Sequence, residues 1–253
     1  MKRIIILVLV LVIEAVLIIS FYISRHTKST IYTQGFVINE IKFDSEDEYV
    51  ESFDINDTGD KIAAITLPKK PYIGSRKAKM YVLNNNGSLL YKGEAEIGNN
   101  EQLEIIFNAD DSIFISNAAD GIISRYNDQV KSIPLTYDNK RATNVWDARL
   151  PEGSAFDKNG KSVSSVNIED TWTYILSENY LFEHKCLLPG FPDGGCANIE
   201  ETISFEDKKI TFRNLRIKIT GTNRYVLNNN KLLLIVQGAT IGDKSSNKLY
   251  ILE

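Results

Sequence analysis

Met80-Tyr-Val-Leu-Asn-Asn-Asn-Gly-Ser-Leu-Leu-Tyr91 reads as two short apolar strands folded back at Asn86-Gly87. A two-residue type I′ hairpin needs positive φ at both central residues, and Asn-Gly meets that need best, so this turn type is expected here. Outward from it the same grammar continues. Lys61-Ile-Ala-Ala-Ile-Thr66, Ser112-Ile-Phe-Ile-Ser116 and Arg216-Ile-Lys-Ile-Thr220 are short apolar or alternating runs bounded by Asn, Asp and Gly. No amphipathic helical period appears after residue 30, and the fold class is read as all-β.

The hairpin phrase recurs. Tyr81-Val-Leu-Asn-Asn-Asn86 returns as Tyr225-Val-Leu-Asn-Asn-Asn230, and more loosely as Tyr174-Ile-Leu-Ser-Glu-Asn179. Ser124-Arg-Tyr-Asn-Asp-Gln-Val130 falls where a further copy is due. A second phrase opens with Phe53, Phe107, Phe156 and Phe205, each followed by acidic or amide residues. Both point to a unit of about 48 residues. Phe53-Asp-Ile-Asn-Asp-Thr-Gly-Asp-Lys-Ile-Ala63, followed by the hairpin at 80–91, resembles the opening of a β-propeller blade. The resemblance covers residues 45–240 and is clearest in the first unit. It implies a propeller-like repeat of four to five blades, the fifth closed by residues 31–43 joining Lys248-Leu-Tyr-Ile-Leu252. A β-sandwich is the alternative.

Residues 4–24, apolar but for Glu14, are long enough at about 1.5 Å per residue to span about 30 Å of hydrocarbon. Phe21 and Tyr22 suit an interfacial belt. A buried core helix is rarely apolar all round, and Ser20 to Ser24 lacks the small-residue pair of a cleavage site. The expectation is a single-pass signal anchor with a cytoplasmic stub (1–3), a juxtamembrane segment and first strand (25–44) and an extracytoplasmic domain (45–253). The address is the bacterial cytoplasmic (inner) membrane. The Met1 amino group, Lys2 and Arg3 before the span against Arg25 and Lys28 after it favour a cytoplasmic N-terminus. Glu14 is costly in the bilayer and is a candidate contact with a partner helix. Cys186 and Cys196 flank a Pro/Gly-rich loop and are read as a local disulfide of an oxidising compartment.

The net charge is −4; the first 29 residues carry +3, so the remainder carries −7. Such a domain repels phosphate backbones, which argues against nucleic acid as a partner. No P-loop, G-x-S-x-G elbow or H-E-x-x-H helix occurs, and no cofactor is expected. Asp54 to Gly59 matches half of an EF-hand loop, but Ile65 stands where the bidentate Glu belongs, so these are read as turn residues. His184 is read as a strand histidine, with a general base as the other reading. Two segments are candidate partner contacts: Lys69, Lys70, Tyr72 and Arg76 in a basic stretch, and Trp146 with Arg149. The expected function is a binding or scaffolding module that recognises a protein partner through loops, of which an immunity or inhibitor protein is one form. The competing class is a cell-envelope hydrolase using paired carboxylates.

Overall fold

A computed structural model describes residues 13–14, 29–69, 76–98, 103–117, 121–135, 155–156, 162–163, 171–177, 180–189, 196–218, 225–238 and 246–253. From residue 29 on the described residues are all-β, in small antiparallel sheets, none of them closed. The first sheet is a meander of β3 (Glu48–Ile55), β4 (Lys61–Pro68), β5 (Arg76–Asn84) and β6 (Leu89–Gly98). The second contains β7 (Leu103–Phe107), β8 (Ile113–Asn117) and β9 (Gly121–Tyr126). β10 (Ala155–Phe156) and β11 (Ser162–Val163) form a short ribbon. The third sheet takes β12 (Thr171–Ser177), β13 (Tyr180–Pro189), β14 (Cys196–Phe205) and β15 (Lys208–Arg213), and adds the early strand β1 (Thr30–Gln34) beside β15. The fourth takes β16 (Arg216–Lys218), β17 (Leu232–Gln237) and β18 (Lys248–Leu252), and adds β2 (Ile38–Ile41) beside β18.

The expected joining of residues 31–43 to the final strand holds only for their second half: Ile38 to Ile41 pair in antiparallel register with Leu252 to Leu249, while Thr30 to Gln34 pair with β15 in the third sheet. Val37 and Glu253 extend the seam by exchanging backbone hydrogen bonds of 3.0 and 2.9 Å.

β3 and β4 of the first sheet are buried on both faces, which is why Ile62 to Leu67 read as an apolar run broken only by Thr66. Phe53, Ile62, Ala64, Tyr81 and Leu83 join a core shared with the third and fourth sheets. Ala63, Ile65, Leu67, Met80 and Val82, on the opposite face, join a second core with Phe107, Ile113 and Ile115 of the second sheet. Side chains of this size contribute roughly 1.5–3 kcal/mol each when fully buried. Alanines at 63, 64, 78 and 95 keep the layers close.

Polar side chains then tie sheet to sheet. Asp54, wholly buried, accepts the Phe107 N–H at 2.8 Å, and Ser52 accepts that of Ile105 at 3.3 Å. Glu201 of β14 accepts the Ile217 N–H and meets His184 Nδ1 at 2.9 Å. Asn247 exchanges bonds with Val50, its backbone oxygen accepting at 3.2 Å and its Nδ2 donating at 3.1 Å.

The reading of Asn86-Gly87 as a type I′ turn is corrected. Only Gly87 has positive φ (80°), the Gly87 N–H returns to Asn84 O, and the Asn84 N–H bonds Ser88 O. That is a type I turn followed by a left-handed residue, the usual form of a three-residue hairpin loop. The predicted span at 4–24 lies outside the described residues except for Ile13 and Glu14, which are helical and exposed. No helix among the described residues is long and apolar enough to cross a membrane.

Candidate functional site

Among the described residues one turn form recurs five times. In each, a residue takes positive φ three positions after a residue whose carbonyl it hydrogen-bonds: Gly59 after Asn56, Gly87 after Asn84, Asp111 after Asn108, Val130 after Asn127 and Asn230 after Leu227. Asn side chains reinforce the geometry. Asn56 Oδ1 accepts from the Asp60 and Lys61 N–H groups, Asn84 Oδ1 from Asn86 and Ser88, and Asn127 Oδ1 from Gln129 and Lys131. Asx residues favour turns through such bonds, so the Asp/Asn-rich phrases are explained without a metal. Among the described residues no group of three or more His, Cys, Asp or Glu is arranged to hold one.

These turns touch one another and form a rim across three sheets. The Asn228 N–H donates to Gly59 O at 3.0 Å, and Asn85 Nδ2 donates to Asn228 Oδ1 at 2.8 Å. Lys231 Nζ donates to Asn86 Oδ1 at 3.2 Å. Asn56 Nδ2 donates to Asp111 Oδ1 at 3.1 Å. Lys61 bridges Asp111 at 2.8 Å and Asp128 at 3.0 Å. Burial alone would lower the Lys61 ammonium, but the two carboxylates outweigh it and push its pKa up to about 12. Asp60 is held below its ordinary value by hydrogen bonds from Thr58 and Asn56. Asp110 is also lowered: burial opposes the change, and Ser112, Arg125 and Asn108 overcome it. A shallow groove lies between Asn56–Gly59 and Val226–Asn228.

A second concavity, of about 700 Å³, lies between the first and fourth sheets. Its walls come from residues 40–46, Glu48, Val50, Lys69 and 246–249. Four carboxylates line it, and three are matched by ammonium groups: Glu48 by Lys79, Asp44 by Lys92 at 2.9 Å and Glu40 by Lys248 at 3.0 Å. Glu48 also accepts from Thr66 Oγ1 at 2.8 Å and Tyr81 Oη at 3.4 Å. Burial first, then the charges of Glu48 and Asp44, raise the Tyr81 phenol.

Of the residues singled out in the sequence, Lys69 is exposed at this cleft. Lys70, Tyr72, Trp146 and Arg149 lie outside the described residues, as does the side chain of Arg76 at the start of β5. Cys186 is disulfide-bonded on β13; the chain's other cysteine, Cys196, begins β14. His184 is tied to Glu201. Lys61, Glu48 and Asn247 escaped sequence reasoning, because their partners lie 18 to 197 positions away and carry no local motif. No protein-family model matches the chain, and no curated protein matches it in sequence.

Proposed function

We propose that this chain is a membrane-anchored binding module, with a propeller-like β domain held outside the cytoplasm and a protein partner recognised at the turn rim. The observation that carries this is the cross-bonded rim: five like turns from three sheets are fixed to one another rather than left as independent loops. Loops set by a rigid scaffold bind with little ordering cost. Layered meanders and the pairing of β2 with β18 support the propeller-like reading. The apolar run at 4–24 and the disulfide at Cys186 support an address at the outer face of the bacterial cytoplasmic membrane. An immunity or inhibitor protein fits this class.

Two measurements test the proposal. A C-terminal tag on the full chain in spheroplasts should be degraded by added protease, and a protected tag overturns the topology. Photo-cross-linkers placed at Asp57, Asn85 and Asn229 should all capture one partner, identified by mass spectrometry, while linkers on β6 do not. Capture at every position alike, or at none, overturns the rim as the binding face.

The four carboxylates of the cleft favour one second reading, a hydrolase of envelope glycans. It requires turnover of purified glycan by the solubilised full chain, lost on Glu48→Gln.

A further inference from the structure

The third sheet has two unlike ends. Thr30 pairs with Arg213, Arg213 with Glu200 and Glu200 with Lys185, so four strands form one row at the end where the chain enters β1. Residues directly opposite in antiparallel strands share a face, and this row carries two cations against one carboxylate. The β13–β14 hairpin runs on past the row to the pair Pro189–Cys196, roughly 13 Å further. Leu187, passed over by the register at a bulge, is 39% exposed there. Tyr32, on the same face of β1 as Thr30, is 55% exposed, with the Arg213 guanidinium 6.0 Å from its ring centre. The opposite end of the sheet belongs to the turn rim: Tyr180, which opens β13, donates to Asn230 O at 2.7 Å. On the rim Asp57, Asp60, Asp110, Asp111 and Asp128 stand against Lys61, Arg125 and Lys231. From Tyr180 to Pro189 the strand spans roughly 30 Å.

We infer that the β13–β14 end of the third sheet rests on the surface of an anionic bilayer, Leu187 and Tyr32 at headgroup level and Lys185 and Arg213 toward lipid phosphates, with the rim held away from the membrane. The inference rests on the proposed span at 4–24. Six residue steps separate Ser24 from Thr30, so the tether reaches about 20 Å at most and keeps this end close to the bilayer. Tether length alone would also let the domain lie over; charge decides the side. Anionic headgroups attract the lysine and arginine of the row and repel the aspartates of the rim. Tyrosine, apolar in body and polar at its tip, suits the interface, and Leu187 adds apolar area. The rim then faces outward, about 30 Å from the headgroups, where a soluble partner rather than a membrane-embedded one meets it.

The test uses the full chain reconstituted in vesicles of phosphatidylethanolamine and phosphatidylglycerol, with a photo-cross-linking residue in place of Tyr32, Leu187 or Asn229. Flotation reports insertion of the anchor, and lipid adducts are counted by mass spectrometry. Adducts at positions 32 and 187 should exceed those at 229 at least about tenfold, since only the first two lie at headgroup level. Lys185→Glu, an exposed change, should cut the adducts at 187 at least about fivefold without altering flotation. Equal adducts at all three positions, more at 229 than at 187, cross-links from 187 to protein in place of lipid, or indifference to Lys185→Glu overturns the orientation and leaves the anchor standing. A chain that fails to float overturns the anchor and the orientation together, so the two failures are told apart.

Discussion

Gly59 and Gly87 occupy equivalent places in two turns, yet a methyl group would meet different neighbours at each. At Gly59 (φ 71°) a Cβ would lie 2.6 Å from the backbone nitrogen of Asn228, the atom that bonds Gly59 O. At Gly87 (φ 80°) its nearest contact is the Ile251 Cδ1 at 3.2 Å, which can move. Gly87→Ala should cost about 1–2 kcal/mol, the left-handed penalty alone. Gly59→Ala should cost about 2–4 kcal/mol, because the clash is with backbone and opens a contact between sheets. Urea unfolding of both variants checks the order. Lys61 gives a prediction in pH. Its folded pKa stands above the ordinary 10.5, at about 12, so its contribution is complete below pH 10.5 and is lost as pH rises through 10.5 to 12. Lys61→Met should remove that alkaline sensitivity and lower stability at neutral pH by about 1–3 kcal/mol, measured by urea unfolding across pH. Asp60 and Asp110 act in the opposite sense: their share is present above the ordinary carboxylate pKa and is lost as pH falls through their lowered values.

At the scale of elements, the hairpin at 80–91 was legible because alternation and turn residues are local. Its turn type was not, because it depends on where the strands pair: Leu83 faces Leu89, which leaves a longer loop than Asn86-Gly87 alone. The Asn-Asn-Asn repeat misleads by one place for the same reason. In the first copy the left-handed residue is the Gly after the triplet, and in the second it is Asn230, the third Asn of the triplet. The copy at 124–130 was found by spacing, but its left-handed residue, Val130, is one no turn rule would choose. Val130 is buried, and its Cγ1 rests where a Cβ on Gly93 of β6 would come within 2.8 Å. Packing between two hairpins thus holds a conformation that the residue alone disfavours by about 1–3 kcal/mol. Gly93→Ala should destabilise by about 1–3 kcal/mol from overpacking. Adding Val130→Ala should recover part of that loss, so that the double-mutant cycle shows a coupling of about 1 kcal/mol.

For the whole molecule, the all-β class and the return of residues 38–41 to the final strand could be anticipated from apolar pattern and the need to cover strand edges, whereas the pairing of Thr30 to Gln34 with β15 could not. The cleft could not, because Asn247 and Val50 meet only through the stacking of the first sheet on the fourth. Removing residues 248–253 should expose Leu232 to Leu234 on β17, leave β2 without a partner and abolish cooperative unfolding seen by circular dichroism. Asp54→Ala should loosen the junction of the first and second sheets instead, at about 2–4 kcal/mol, with the unmet Phe107 N–H exchanging faster in hydrogen–deuterium exchange. The five pairs that bind β1 to β15, from Thr30–Arg213 to Gln34–Lys209, have a mechanical meaning as well. A pull on Ser29 away from the sheet loads Thr30 first and opens the pairs one after another like a zip. A pull along the strand loads all five together in shear. The joint is compliant along one axis and stiff along the other, so the direction of tension at residue 29 sets how much force the domain withstands before β2 is reached.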